Sequence, residues 1–349
     1  METLFCKVDP VDPDKKIIEK AGEIIKAGGL VAFPTETVYG LGGDAINPGA
    51  SEKIYAAKGR PSDNPLIVHI AELDKLEALC KKVPDEMYKL AEVFWPGPLT
   101  MIVDKSSLVP KETTGGLDTV AIRMPDHNTA LEFIKASGGY IAAPSANTSG
   151  RPSPTLASHV RTDLDGRIDM IIDGGEVGIG VESTIVDLSE GEPTILRPGY
   201  VTREMLSRVL GRVDIDTTIL SGTDKKAPKA PGMKYRHYAP KGSMTLVEGE
   251  TGAVVKRINE EVAAAKAKGL KCGVLCTLET EEDINADVKK CVGSRNDEAA
   301  IARSLYRVLR EFDEEGAEVI FSESFKTDGF GQAVMNRLLK AAGYNVEKI

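Results

Sequence analysis

The chain has 349 residues, of which 42% are hydrophobic and 28% are charged, and its formal net charge is −9 at pH 7. This composition is typical of a globular protein of about two domains, and it excludes disordered, fibrous and disulfide-rich classes. The apolar runs are too short to span a bilayer. The acidic balance argues against a protein that binds nucleic acid over its whole surface.

The amino-terminal residues show neither a secretory signal nor a transit peptide, so we expect a cytoplasmic protein with no membrane association. The five cysteines are scattered and form no CxxC pair. This spacing favours reduced, structural thiols over a disulfide framework or a zinc site. The four histidines likewise show no spacing typical of metal ligands, and we predict no protein-held metal.

The first predicted elements are a helix and a buried strand. Asp14 can cap a helix whose apolar residues recur at helical spacing as far as Ile25. The strand at residues 30–33 ends at Pro34, because proline lacks the N–H that a sheet requires. Further strand patterns follow at residues 66–70, 99–103, 119–122, 140–142, 170–172 and 184–188, and helical patterns at residues 49–57, 73–94, 128–137 and 202–210.

Alternating strands and helices indicate an α/β domain around one open sheet. Several steps between strands are too short for a crossover helix, so we predict a twisted, mixed sheet. Residues 221–243 then carry six lysines and arginines against one aspartate, together with several prolines and glycines. This composition predicts a basic linker without regular structure.

Strand and helix patterns resume after the linker. Strands are predicted near residues 244–247, 272–277, 288–292 and 317–321, and helices at residues 252–268, 297–314 and 330–342. We therefore predict three parts: a larger α/β domain at residues 10–212, a linker at residues 213–243, and a smaller Rossmann-like α/β domain at residues 244–349.

Four clusters of polar residues lie at predicted strand ends, where open α/β sheets bind ligands. Residues 34–43 form a predicted loop rich in hydroxyls and glycines, although a plain turn is the alternative and no known phosphate-binding glycine motif is matched. Lys58 and Arg60 flank a glycine. If the segment is extended, both cations face one way and indicate an oxyanion clamp; the alternative is a solvated charge pair at a helix end.

The third cluster, residues 143–154, is dense in hydroxyls and is either a ligand-binding segment or a surface loop. The fourth contains Arg123, residues 182–184 and Arg197, whose arginines favour a carboxylate or a phosphate, or an ion pair with a neighbouring acid. His69 lies in an apolar strand and is more typical of a core residue than of a substrate contact. Together these clusters indicate a cavity for a nucleoside triphosphate and an amino-acid-like anion.

The motifs resemble the YrdC-like family. They are the segment at residues 34–41, Lys58-x-Arg60, Ser145-x-Asn147 and residues 180–184, with a later segment at residues 231–240 that is similar to the two-domain form, the threonylcarbamoyl-AMP synthases. The resemblance covers nearly the whole chain. It implies a nucleotidyltransferase that makes threonylcarbamoyl-AMP and pyrophosphate from L-threonine, bicarbonate and Mg²⁺-bound ATP, for threonylcarbamoyladenosine formation at position 37 of tRNA.

The resemblance also implies roles for individual residues. The catalytic set is Lys58, Arg60, Ser145 and Asn147, with Arg60 on phosphate or bicarbonate; the L-threonine set is Thr35, His69, Arg123, Ala143 and Ser183; the ATP set is Lys58, Ser62, Thr119, Ser145, Ser153, Arg197 and Tyr238. The linker is expected to fold over the active site as a lid, with Tyr235 or, preferably, Tyr238 on the nucleotide.

Two further expectations concern partners. A downstream transferase would carry the threonylcarbamoyl group to tRNA, and direct tRNA contact is open. The alternative function is a non-catalytic protein that binds double-stranded RNA or tRNA. A first domain with a net charge of −10 over residues 1–220 makes a poor phosphate-backbone binder unless one face is strongly positive.

Overall fold

The structure is a computed structural model of the chain, and it describes residues 2–217, 219, 230 and 237–349. The chain divides into two compact units. The first is Met1–Ser149 with Ser153–Lys234, and the second is Gly150–Pro152 with Tyr235–Ile349. Most of the predicted basic linker lies outside the described residues, and its predicted boundaries and lid role stay predictions.

A mixed sheet organises the first unit, as predicted. Its described strands are β1 (Leu4–Lys7), β2 (Val31–Phe33), β3 (Gly40–Asp44), β4 (Ile67–His69), β5 (Leu99–Asp104), β6 (Thr119–Arg123), β7 (Ile141–Ala143), β8 (Met170–Asp173), β9 (Thr184–Asp187), β10 (Thr194–Arg197) and β11 (Asp214–Ile215). Their order is β1-β8-β2-β3-β7-β4-β6-β5-β9-β10-β11. Parallel and antiparallel neighbours occur along this order, which confirms the open mixed sheet.

The helices of the first unit largely follow the predicted pattern. They are α1 (Lys15–Lys26), α2 (Pro48–Lys58), α3 (Leu76–Leu79), α4 (Asp85–Phe94), α5 (Asn128–Ala136), α6 (Ala157–Leu164) and α7 (Arg203–Leu210). The Asp14 side chain caps α1 by accepting from the Lys16 N–H at 2.8 Å. The single helix predicted over residues 73–94 is wrong: Cys80 pairs with Lys105 as an isolated bridge, and Pro84 lacks the N–H that a helix interior needs.

The glycine-rich segment is only partly a loop. Its second half forms β3, which pairs antiparallel with β2, so the connecting loop is residues 34–39. Phe33 explains the glycines, because a Cβ at Gly40 would lie 3.1 Å from its ring atom Cε1 and one at Gly42 would lie 3.2 Å from the same atom. These glycines admit an aromatic ring onto the strand, and they have a packing role.

We expect Gly42→Ala to lower the free energy of unfolding by about 1–3 kcal/mol. The new Cβ would lie 3.0 Å from Ile141 Cγ2 as well as against Phe33. Urea denaturation measures the difference. Gly49→Ala is the control, since its Cβ would meet only Asn47 Oδ1, at 3.4 Å. Equal stability of the Gly42 variant and the wild type would contradict the close packing.

The two faces of the sheet bury different cores. On one face, α1 and α5 pack on β2, β7 and β8 through a core that includes Phe33 and Phe133. On the same face, a separate small cluster contains Ile67, Ala121 and Ile185 of β4, β6 and β9. The larger core lies on the opposite face. The predicted polar residues of β4 and β6 alternate with that larger core and so belong to the face of the small cluster.

The second unit is a smaller α/β domain with a parallel sheet, as predicted. Its strands are β12 (Ser243–Glu248), β13 (Cys272–Cys276), β14 (Val288–Cys291), β15 (Val319–Glu323) and β16 (Val346–Lys348), and its helices are α8 (Thr251–Ala267), α9 (Glu298–Glu314) and α10 (Gly331–Ala341). The strand order is β14-β13-β15-β12-β16. The edge strand β16 was not predicted from the sequence. In the described part of the chain, no helix has both the length and the apolarity needed to cross a membrane.

Candidate functional site

Several predicted site residues share one face of the sheet. His69 and Arg123 are register partners of β4 and β6, and Ala143 of β7 lies opposite Ile67, two residues before His69. Alternate residues of a strand point to the same face, so these side chains lie together. Thr119, four residues before Arg123, points the same way. Strand pairing therefore brings together three of the residues predicted to bind L-threonine.

Arg123 places a buried cation on this face. The residue is 4% exposed, and its Nη2 lies 2.6 Å from Glu36 Oε2. Its Nη1 donates to Thr37 Oγ1 at 2.9 Å, and its Nε donates to the Gly97 carbonyl at 3.3 Å. The ion pair that the sequence left open as an alternative is thus present. Arg123 already holds a carboxylate, that of Glu36.

The loop at residues 34–39 is fixed by its own hydroxyl groups. Thr35 Oγ1 donates to the Val38 carbonyl at 2.6 Å and accepts from the Val38 N–H at 3.2 Å, a local turn that threonine supports well. Thr37 Oγ1 lies 2.9 Å from Thr35 Oγ1. From outside the loop, the Ile179 N–H donates to the Glu36 carbonyl at 2.8 Å. The backbone of the loop is therefore held at several points.

His69 is a buried, neutral histidine. It is 4% exposed, its Nδ1 donates to the Ile67 carbonyl at 3.1 Å, and its ring meets Phe33 edge-on with 6.0 Å between centroids. Burial, and then the charge of Arg123, lower the pKa of His69 to about 3. The side chain has the packing of a core residue, and at neutral pH it adds no charge to the site.

We expect His69 to destabilise the fold in acid. In the folded state it stays neutral until the pH approaches 3, whereas the unfolded chain binds the proton near pH 6.5. Stability is therefore full above about pH 6.5 and falls as the pH drops from there toward 3. Urea unfolding of wild type and His69→Gln across this range checks the prediction: the variant should lose less stability. Identical pH profiles would contradict it.

Lys58 joins the two signature motifs. It is 2% exposed at the end of α2, and its ammonium donates to the carbonyl oxygens of Ser145 and Asn147. Ser145 Oγ in turn donates to Asn147 Oδ1 at 2.6 Å. Gly40 of β3 bridges to Ser145, which ties this segment to the sheet. The structure thus brings Lys58, Ser145 and Asn147 into direct contact.

The extended geometry assumed for residues 58–60 is wrong. Lys58 is the last helical residue, and Gly59 caps the helix in the left-handed region with φ of 62°, a conformation that favours glycine. Arg60 turns elsewhere and donates to the carbonyl oxygens of Asn64 at 3.2 Å and Pro65 at 3.0 Å. Each cation has its own carbonyl partners, so their proximity in sequence does not by itself require an anion between them.

Arg197 and Ser183 form a second buried group. Arg197 is 5% exposed and donates through Nε to the Ser183 carbonyl at 3.0 Å and through Nη2 to Ser183 Oγ at 3.1 Å. Thr100 Oγ1 lies 2.7 Å from Ser183 Oγ. Nearby in sequence, Glu182 Oε1 accepts from Ser153 Oγ at 2.5 Å. A residue predicted for L-threonine and one predicted for ATP are thus in direct contact.

Three residues predicted to bind ATP are placed differently from the two buried groups around Lys58 and Arg197. Ser62 is exposed and Thr119 is half-buried. Tyr238 belongs to the second unit, where it is 5% exposed and stacks on Tyr306 with 5.2 Å between ring centroids. Tyr235 lies outside the described residues. In the described part of the chain, no three His, Cys, Asp or Glu side chains converge as a metal site requires.

The sequence analysis placed Glu36, Thr37 and Glu182 in its polar clusters without giving any of them a role, and it did not select Thr100. Glu36 had a usable signal, because it is the one acidic residue in a segment of hydroxyls, glycines and apolar residues at 34–43. Glu182 likewise directly precedes the predicted Ser183. Thr100 lies inside an apolar strand pattern, and nothing local marks it.

Family models match both parts of the chain. The model described as "Telomere recombination" matches residues 23–199, and the one described as "Threonylcarbamoyl-AMP synthase, C-terminal domain" matches residues 201–343. The chain belongs to the Sua5/YciO/YrdC family. The two matches together place it with the two-domain members, in agreement with the predicted resemblance.

Relatives in this family match almost from end to end. The threonylcarbamoyl-AMP synthase of Pyrococcus abyssi is 49% identical over 95% of this chain and 96% of its own, and that of Bacillus subtilis is 47% identical over 97% and 96%. The crystal structure of P. abyssi Sua5 complexed with L-threonine has a TM-score of 0.94 and 48% identity, and covers 99% of this chain and 100% of that one. The similarity therefore includes both units.

Proposed function

We propose that this protein is a threonylcarbamoyl-AMP synthase that uses L-threonine, bicarbonate and ATP and releases pyrophosphate. The observation that carries the proposal is the 49% identity to a synthase of this name over nearly the full length of both chains. The geometry supports it, since a buried arginine, a neutral histidine and several hydroxyls share one region of the sheet. The product would feed threonylcarbamoyladenosine formation in tRNA.

L-threonine would bind at the face shared by β4, β6 and β7. Arg123 would hold its carboxylate, because a guanidinium matches a carboxylate in charge and shape. Thr35, His69, Ala143 and Ser183 would complete the pocket. A related Sua5 was crystallised with L-threonine, which supports a threonine site in this family member.

ATP would bind beside the Lys58, Ser145 and Asn147 group. Lys58 holds the backbone of this segment, so the Ser145 and Asn147 side chains would be presented to the nucleotide from a fixed support. Ser62, Thr119, Ser153, Arg197 and Tyr238 would contribute further contacts, with Arg60 on phosphate or bicarbonate. Mg²⁺ would enter as part of the MgATP substrate, with phosphate oxygens and water as its main ligands.

The proposed reaction needs positioning and charge neutralisation. The threonine ammonium gives up a proton to solvent, and the resulting amine forms a bond to the carbon of bicarbonate. The C–OH bond of bicarbonate breaks, its hydroxyl leaves as water with an amine proton, and a carbamate remains. A carbamate oxygen then attacks the α-phosphorus, and the bond to pyrophosphate breaks. Buried cations stabilise the negative charge that develops in such a displacement. A lid formed by residues 213–243 would exclude water from the hydrolysable product.

Pyrophosphate release tests the proposal. The purified protein is supplied with MgATP, and L-threonine or bicarbonate is omitted in turn. We expect release only when both are present, together with a product of the mass of threonylcarbamoyl-AMP. Pyrophosphate release that continues without L-threonine or without bicarbonate would overturn the proposal. So would the absence of release from folded protein that binds ATP.

The alternative, a non-catalytic RNA-binding protein, is disfavoured by the synthase names of the full-length relatives. If the assay fails, tRNA binding over a range of salt concentrations tests it. Passage of the product to a downstream tRNA transferase also belongs to the proposal, and adding that enzyme with tRNA would measure it.

A further inference from the structure

Glu36 carries a carboxylate to which the proposed reaction gives no role. Its side chain is 13% exposed, and neither of its oxygens accepts a hydrogen bond from the part of the chain that the structure describes. Its close charged neighbour is Arg123, with Nη2 2.6 Å from Oε2. A buried anion is costly unless it is paired and hydrogen-bonded. Glu36 is paired, but beyond this contact with Arg123 its oxygens accept no hydrogen bond from the described residues.

Within the described residues, the neighbouring histidines add no second positive charge to the pair. Among the described residues, His69 interacts electrostatically with Arg123 and His127 with Glu36, and burial is the main cause that lowers the pKa of each. Both histidines are therefore neutral near pH 7. The backbone of Glu36 is held by the Ile179 N–H and the loop by the turn of Thr35, so the position of the Glu36 backbone next to the guanidinium is fixed.

A free α-amino acid is a zwitterion, with an ammonium and a carboxylate on the same carbon. Binding it in a site with little water requires a cation for one charge and an anion for the other. Arg123 and Glu36 present these two charges side by side on the face where the residues predicted to bind L-threonine converge. The cost of removing both from water has already been met in folding, so the pair is preorganised for such a ligand.

We propose that Glu36 binds the α-ammonium of L-threonine while Arg123 binds its carboxylate. The inference rests on the proposed function and adds to it the residue that selects an amino acid over other carboxylic acids. On binding, the Arg123 and Glu36 side chains separate enough for each to meet the opposite charge of the ligand. The net charge of the site is unchanged, and the free acceptor positions of Glu36 receive the N–H donors of the ammonium.

Calorimetric titration of the full-length protein tests this assignment with two ligands. One is L-threonine, and the other is its α-hydroxy analogue, in which a hydroxyl replaces the ammonium. We expect Glu36→Gln to weaken the binding of L-threonine by about tenfold or more, which is the effect of losing a hydrogen bond to a charged group. The α-hydroxy analogue should change by less than about threefold, because it has no positive charge to lose a partner. Glu36→Asp should recover part of the affinity for threonine.

Glu132→Gln is the matched control, since Glu132 of α5 has a side chain that is 46% exposed and pairs with Lys135. This variant should leave the affinity for both ligands unchanged. Wild-type protein alone gives a further check that does not depend on how the variants fold: it should bind L-threonine more tightly than the analogue by about tenfold or more.

The remaining outcomes overturn the assignment in distinguishable ways. Tighter threonine binding by Glu36→Gln would make Glu36 a competitor for Arg123, and equal weakening of both ligands would make it a structural support of the arginine. Unchanged binding of both would remove Glu36 from the site. Failure of the wild type to bind L-threonine at all would overturn the proposed function together with this inference.

Discussion

Arg123→Ala is expected to lower kcat/KM for L-threonine by a factor on the order of 10²–10³, the usual effect of truncating one partner of a buried, hydrogen-bonded charge pair. The KM for ATP should change by less than about threefold, because the contact proposed for Arg123 is with the carboxylate of L-threonine and not with ATP. Steady-state pyrophosphate release with each substrate varied in turn measures both effects. An equal loss for the two substrates would contradict the carboxylate role.

The variant also tests the energetics of the ion pair. Removing the guanidinium leaves Glu36 buried without its countercharge, so Arg123→Ala should lower the free energy of unfolding by up to about 3 kcal/mol. Adding Glu36→Gln to Arg123→Ala removes both charges and should recover part of that stability. It should not recover threonine-dependent activity. This pair of variants separates loss of binding from loss of folding.

Arg203→Ala provides a control for the loss of an arginine in the same unit. Arg203 begins α7 and donates to the Val213 carbonyl at 2.9 Å, and it lies outside the predicted substrate sets. Its variant should retain kcat/KM for both substrates. A loss as large as that of Arg123→Ala would show that the assay responds to general damage to the domain.

Lys58→Ala is expected to reduce the rate of pyrophosphate release by a factor on the order of 10² or more. The Lys58 ammonium donates to the Ser145 and Asn147 carbonyls, and its removal frees the segment that presents both side chains. We also expect a loss of about 1–3 kcal/mol in the free energy of unfolding, since buried carbonyl oxygens lose their donor. Thermal unfolding and the release assay measure the two effects.

Lys53→Ala is the matched control on the same helix. Lys53 also donates to a backbone carbonyl, that of Gly28, at 2.5 Å, but it lies away from the signature motifs. Its variant should keep near wild-type turnover. Lys58→Arg should fail to rescue activity, because a planar guanidinium does not reproduce the compact donor geometry of an ammonium. Normal turnover by Lys58→Ala would remove Lys58 from the proposed machinery.

Much of the fold follows from local patterns. The Asp14 cap, the buried strand before Pro34 and the helix that ends at Lys58 all depend on residues within a few positions of each other, and the structure has each of them. The two α/β units and the mixed sheet were also predicted, because hydrophobic periodicity and the lengths of the connections can be read directly from the sequence. The polar clusters were found in a similar way, from their positions at the ends of predicted elements, whereas the roles of individual residues came from the family resemblance.

Other features depend on contacts that no local pattern reports. Gly40–Asp44 is a strand because β2 and β7 pair with it and the Phe33 ring fills the space above its glycines. Residues 58–60 are not extended, because α2 continues to Lys58 and turns at Gly59. In both cases the local composition suits either conformation, and pairing or capping decides.

The sequence by itself determined the family, the class of fold and the positions that carry polar chemistry, since short-range periodicity, capping and motif spacing specify these. Only the tertiary structure decided which charges meet. Arg123 and Thr37 are 86 residues apart in the chain, and Glu36 reaches the same guanidinium because strand order brings the two segments together. Strand pairing and burial across the whole sheet determine such partners, because burying a charge without a partner costs too much free energy.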